Sequence, residues 1–485
     1  MRGIGGGTLP ARQRGAALLA LLALVGVAVI FAYVTGLNRS AADMAQARAQ
    51  RTSIALAKAK EALIAYAVTY GDTHANQIPG YLPCPEMGAT VSNEGLATGS
   101  CGSALVSQLG RLPWRTLGLG SIADGSGECL WYAVSGTYKS GPIFPSTSNT
   151  MNWDTNGQFA VMAADGTSYL TGSAADNLAV AVIFAPGAPV SGQNRAPDAN
   201  ARLCPGNYTA ANYLEAAATI NNSAISATAS AVTTFIAGTS SNTFNDQLVY
   251  ITRADIWNAV KKRSDFQNSL RALTRRAAEC VSMYGGNNQP GPDLTDKRLP
   301  WASPVSLANY AANVNYDDAN GLLQGRMPFR VDTAKLSTNN QLSGSSPFGV
   351  APYCWYTTQE LAWYQNWKDH LFYALAGNFQ PGAATPTAAC GTCLKIEGAG
   401  NYAAVVVFAG ENLSGVSRTI ADKADIAKYL EGRNATNTGG SGDYQAAAAS
   451  STFNDFVYAI DQNLAVTCYD SASLSMQPTH TTACP

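Results

Sequence analysis

From Ala16 to Leu37 the chain carries no charged residue, reading AALLALLALVGVAVIFAYVTGL. At a rise of about 1.5 Å per residue, such a run spans about 30 Å as a helix, the thickness of a bilayer's hydrocarbon core. Residues 1–15 are basic, with Arg2, Arg12 and Arg14 and no acid. That bias predicts a cytoplasmic N-terminus and an exported remainder. Tyr33 falls near the outer interface, where an amphipathic ring is favoured. A cleaved secretory signal is the alternative, but its apolar region is usually about 7–15 residues. Nor does the helical pattern stop where cleavage would fall. Residues 38–70 contain no Gly or Pro, and Gly71 ends the run. Ile54, Leu56, Leu63, Ile64 and Val68 provide an apolar stripe, with Arg48, Arg51, Lys58, Lys60 and Glu61 largely off it. One helix is therefore expected from Ala16 to Tyr70, a membrane half at 16–37 and an amphipathic continuation at 38–71.

The chain bears a formal net charge of -1, which gives no broad attraction to nucleic acid or acidic lipid. Only 13% of residues are charged, against about 25% in an average soluble domain, a surface suited to export. The ten cysteines are even in number, and the three histidines lie far apart, which disfavours a multi-histidine metal site. Disulfides in an oxidising compartment are expected; reduced buried thiols are the alternative. Cys84 and Cys101 flank a loop rich in Gly, Ser and Thr, while Cys468 and Cys484 close a tail with little apolar content. Cross-links order segments that burial cannot. Cys129 with Cys204 and Cys280 with Cys354 are further pairings, with connectivity left open.

The exported region reads as two copies of one plan. Tyr70-Gly71 matches Tyr284-Gly285, and Leu82-Pro83 matches Leu299-Pro300. The run from Gly110 to Arg115 (GRLPWR) matches that from Gly325 to Arg330 (GRMPFR), and Leu130 to Gly136 matches Leu371 to Gly377. Ala181 to Ala185 matches Val405 to Ala409, Tyr213-Leu214-Glu215 matches Tyr429-Leu430-Glu431, and Thr243 to Asp246 matches Thr452 to Asp455. Runs such as LWYAV, LAVAVIF and QLVYI read as strands. A helix stripe needs a sheet to bury it. The expected fold is α+β: a long N-terminal helix followed by two duplicated helix-on-antiparallel-sheet domains, at 72–260 and 261–485. The second packing helix falls near Asp265 to Tyr284.

Candidate chemistry is sparse. The arginines of GRLPWR and its copy could bind an anion, but recurrence in both copies favours a folding element. Cys390 and Cys393 form a C-x-x-C pair, in a loop rather than at a helix N-terminus, so a structural disulfide is expected over a redox or zinc site. Asp124 to Glu128 and Asp317-Asp318 offer clustered oxygens for calcium, or simply polar turns. No other cofactor is expected. Trp355, Tyr356, Trp363, Tyr364 and Trp367 crowd an insertion present only in the second copy. They could recognise a partner, or fill the core around an extra helix. No nucleophile elbow, phosphate loop or dinucleotide fingerprint occurs, and no enzymatic activity is expected.

The segment RQRG-AALLALLALVGVAVIFAY resembles the N-terminus of type IV pilins and pseudopilins. The resemblance implies cleavage by a prepilin peptidase after Gly15, which leaves Ala16 as the first mature residue. The family usually has Phe or Met there and Glu at mature position five, where this chain has Ala20. A missing glutamate is similar to the large K-type minor pseudopilin of type II secretion, which sits at a fibre tip. The resemblance implies a single-pass inner-membrane protein with a periplasmic bulk. Its expected partners are other minor pilins or pseudopilins, with a place at the tip of a type IV pilus or type II secretion pseudopilus. A membrane-anchored adhesin or binding protein is the second reading, and an envelope thiol oxidoreductase the third.

Overall fold

The computed structural model describes residues 12–88, 93–141, 149–198, 202–286, 297–331, 340–341, 356–381, 390–415, 417–481 and 484, with side chains from residue 42 onward except those of 340 and 341. The chain is mixed α and β. Helix α1 (Arg12–Thr73) comes first, followed by β1 (Gln108–Arg111), β2 (Trp131–Val134), β3 (Phe159–Met162), β4 (Tyr169–Thr171) and β5 (Ala179–Ala185). A small ladder of β6 (Ala216–Ala217) and β7 (Ile220–Asn221) precedes β8 (Thr233–Ile236) and β9 (Gln247–Thr252). Helices α2 (Arg253–Val260) and α3 (Ser264–Gly286) lead into the second half. There β10 (Gln324–Arg326), β11 (Arg330–Val331), β12 (Asn340–Gln341), α4 (Thr358–Trp367), β13 (Leu371–Leu375), β14 (Leu394–Ile396) and β15 (Ala399–Phe408) follow. Helix α5 (Gly432–Thr436), β16 (Asp443–Tyr444), β17 (Phe456–Asp461), β18 (Val466–Asp470) and β19 (Ser475–Pro478) complete the chain.

Among the described residues no helix is long and apolar enough to cross a membrane. The uncharged run 16–37 lies on α1, where side chains are outside the description. The helix runs past Gly71 to Thr73: the His74 N–H still reaches the Tyr70 carbonyl, and Asn76 then turns at φ 61°. Its buried stripe differs from the expected one. Leu56 and Leu63 are buried as expected, but Ile54 is 59% exposed, and Ala55, Ala59 and Ala67 take the inner positions. Small side chains let the helix approach β5 and β9 closely.

Four strands of each half form the same ladder. In the first, Gly110 lies opposite Tyr132, Tyr132 opposite Ile183, and Ile183 opposite Val249. In the second, Gly325 lies opposite Tyr373, Tyr373 opposite Val406, and Val406 opposite Tyr458. On these rungs Ile183 takes the place of Val406, one residue off the sequence match that aligned Phe184 with Phe408. The glycines have a common cause: a Cβ on Gly110 would meet the Glu86 carbonyl at 2.7 Å, and one on Gly325 the Ser303 carbonyl at 2.0 Å. Tyr132 and Tyr373 donate to the carbonyls of Pro83 and Pro300 at 3.2 and 3.1 Å, which fixes both Leu-Pro segments.

The sheets are not purely antiparallel, as the sequence pattern suggested. β8 runs parallel to β3, and β16 parallel to β14. Both arrive after long excursions, which parallel pairing requires. The second half adds the β18–β19 hairpin outside β17. Helix α3, close to the expected bounds, packs on β15 and β17. One continuous core joins Leu56 and Leu63 of α1, Tyr132 and Ile183 of the first sheet, Leu270 and Val281 of α3, and Tyr373 and Val407 of the second sheet. A smaller core, with Trp131, Phe159, Phe184 and Phe235, covers the other face of the first sheet.

Candidate functional site

Gly15, Ala16 and Ala20 lie on α1, and their side chains are outside the description. The cysteines are clearer. Cys84 pairs with Cys101, Cys129 with Cys204, Cys390 with Cys393, and Cys468 with Cys484. Cys280 is also disulfide-bonded, and Cys354 lies outside the described residues. No described cysteine is free. The Cys390–Cys393 bridge sits in a turn leading into β14, with no helix N-terminus to stabilise a thiolate.

The recurring arginines are directed inward. Arg111 donates to the carbonyls of Cys204, Pro205 and Asn207 and lies over the Tyr208 and Tyr213 rings. Arg326 donates to the carbonyls of Val305, Asp369 and Lys423 and lies against Tyr310, Phe372 and Tyr429. Both are buried. Each clamps distant loops onto a strand, so the folding role holds over the anion-binding one.

A second arginine pair escaped the sequence reading. Arg195 donates to the carbonyls of Asn212 and Gly187, lies 4.7 Å from the Tyr213 ring centre and is 3.1 Å from Glu128. Arg418 donates to the carbonyls of Lys428 and Gly410, lies 4.2 Å from the Tyr429 ring centre and is 3.1 Å from Asp154. Each half thus places one tyrosine among equivalent arginines. The ion pairs differ: Glu128 belongs to the same half as its arginine, whereas Asp154 reaches across from the first half into the second.

That crossing is the centre of a buried seam. The segment Met151–Asp154 of the first half inserts beside α4. The Met151 N–H donates to Asn366 Oδ1 at 2.8 Å, and the Asn152 side chain donates to the Asn366 carbonyl and to Asp369. Trp153 meets Trp367 edge to face at 4.5 Å and packs on Phe266, His370 and Phe408. Asp154 Oδ2 lies 3.3 Å from His370 Nε2, and Lys423 bonds Asp369. Burial raises the Asp154 carboxyl, but the His370 ring 3.3 Å away and the charges of Arg418 and Lys423 outweigh it and hold the carboxyl well below the usual range. Asp369 is also lowered: burial opposes, while Lys423 and His370 prevail. Burial, helped by the Lys423 charge and opposed by Asp369, pushes Lys368, whose Nζ donates to the Gln365 carbonyl, down to about 7. Ion pairs so buried must be complete, because removing one partner strands a desolvated charge.

Tyr356 and Trp367 therefore need correcting as recognition residues. Tyr356 is buried and stacks on Tyr364, and Trp367 is fully buried against Trp153 and Trp257. Trp363 is half-buried on Phe266, and Trp355 lies outside the described residues. The insertion serves the seam by giving the first half something to dock on. The acidic segments are also occupied internally. Asp124 accepts from the backbone N–H groups of Ser126, Glu128 and Gly187, and Asp317 forms a two-point pair with Arg330. Among the described residues no group of three or more His, Cys, Asp or Glu could hold a metal ion. No family model, curated protein or solved structure matches the chain.

Proposed function

We propose that this chain is a minor pilin or pseudopilin that initiates or caps an envelope fibre and is anchored in the inner membrane with its bulk in the periplasm. The observation that carries the reading is the continuity of α1. One helix begins within the basic leader at Arg12, holds the uncharged run and ends packed on β5 and β9. The similarity of residues 12–33 to prepilin N-termini supports cleavage between Gly15 and Ala16 by a prepilin peptidase. The common rungs, the paired Tyr-Pro contacts and the paired arginines support the two domains, 72–260 and 261–485, as copies of one ancestral unit.

Alanine at position 20 and the bulk of the exported region support a position at the tip. In a membrane, a glutamate there needs a compensating partner, which a neighbouring subunit's amine can supply. Alanine needs none, so this subunit can precede the others. A seam that locks the two halves together suits a terminal cap that shifts little on assembly. Immunogold labelling of purified fibres tests the placement. Label confined to fibre ends, with smaller minor pilins co-purifying, is the expected result. Label along the whole shaft rules the tip position out.

A further inference from the structure

Both halves repeat Tyr-Leu-Glu and Thr-Phe-Asn-Asp, and the proposed function makes no use of them. In the first half the Glu215 N–H donates to Asp246 Oδ2 at 2.9 Å, and the N–H groups of Asn245 and Asp246 donate to Glu215 Oε2 at 2.9 and 3.2 Å. The Asn222 amide adds a bond to Asp246 Oδ2 at 3.0 Å. In the second half the Glu431 N–H donates to Asp455 Oδ2 at 3.0 Å, the Asn454 N–H to Glu431 Oε2 at 3.2 Å, and the Asn434 amide to Asp455 Oδ2 at 3.0 Å. Asp246 and Asp455 are each 3% exposed. The other oxygen, Oδ1, is buried and without a donor in both.

Among the described residues neither pair has a cation of its own. Arg195 reaches Gln193, whose amide donates to Glu215 Oε1, while the guanidinium itself is 3.1 Å from Glu128. In the second half Lys261 is held by Glu411, and Arg271 lies over the Phe456 ring. A buried aspartate carboxylate beside a glutamate carboxylate with no cation is repelled by it, and a single proton between them removes the repulsion and supplies the missing donor. We propose that each half is closed by a Glu–Asp pair sharing one proton, Glu215 with Asp246 and Glu431 with Asp455. Each pair is a latch that clasps a Tyr-Leu-Glu loop to the turn before the last ladder strand and loosens as that proton is lost.

Burial and then the charge of Glu215 push Asp246 up to about 8, and burial and Glu431 push Asp455 well above its ordinary value. A raised folded value means stability fully present below the unfolded value, 3.8, and lost as pH rises through about 8. Between those limits the unfolding equilibrium moves about tenfold per pH unit for each proton the folded chain retains. The lysines Lys368 and Lys139, pushed down to about 7 and about 8, have the opposite sign between those values and 10.5, so Lys368 overlaps the top of that window, equally in the native chain and in a variant that keeps it. Asp154 and Asp369 act below it.

The full chain with its disulfides intact, in detergent, is compared with a D246N/D455N variant. Asparagine offers the same acceptor and replaces the shared proton with an amide N–H. On denaturant unfolding near neutral pH, the native chain should release about two more protons than the variant, and its stability should fall more steeply with rising pH. Equal proton release and equal slopes overturn the proposal. If that variant does not fold, E215Q/E431Q removes the same proton from the other side and carries the same expectations. Infrared spectra of the native chain need no variant: a buried protonated-carboxyl stretch at neutral pH is expected, and its absence overturns the proposal.

Discussion

Asp154 and Glu128 occupy equivalent roles toward equivalent arginines, yet their replacement should have very different effects. Asp154→Ala leaves Arg418 and His370 buried without their carboxylate, a loss expected to cost about 3–5 kcal/mol. Glu128 is 21% exposed, so Glu128→Ala should cost about 1 kcal/mol or less. Urea unfolding of the two variants near neutral pH measures the difference, and equal costs would deny the seam its role. The folded values of Asp154 and Asp369 lie below the ordinary 3.8, so the seam's electrostatic stability is present above that pH. It is lost as pH falls further. Arg111 and Arg326 were legible as a structural pair because the flanking Gly, Pro and aromatic recur with them. Arg195 and Arg418 were not, because their neighbours, Gln-Asn-Arg-Ala and Val-Ser-Arg-Thr, share nothing but the arginine. They become equivalent only once the ladder fixes the register one residue from the apparent match.

At the scale of elements, the apolar runs at 130–134, 178–184 and 247–251 were readable as strands, since each alternates or runs apolar between turn residues. Helix α3 was readable from its own stripe. The inward face of α1 was less so. Hydropathy weights Ile54 above Ala55, but close packing on a sheet selects the smaller side chain. The parallel strands β8 and β16 carry no local mark of their direction, because direction is set by the path of the intervening chain. The aromatic insertion was visible as an insertion, while its burial depended on Met151–Asp154, more than 200 residues away. The disulfides are the element-scale claim most easily checked. Thiol counting on unfolded, unreduced protein should find few or no free thiols, because no described cysteine is free. Eight or more would contradict both the pairings and the export reading.

At the scale of the molecule, the two sheets do not behave as beads on a stem. Their helix-facing sides share one core, and the seam's ion pairs cross from one half to the other. On the proposed duplication, the halves fit because they began as one unit. Each brings the same tyrosine, arginines and carboxyl pair, and the second half redirects one arginine to a partner in the first. The sequence could show the repeat but not this fusion, since it depends on Met151–Asp154 meeting α4 more than 200 residues further along the chain. The central claim concerns the N-terminal helix and what is done to it. Mass spectrometry of the mature N-terminus, on protein purified from its own envelope, tests it most directly. The account predicts a chain beginning AALLALLALV at Ala16. A chain that keeps Met1, or one that begins beyond Ser40, would contradict it.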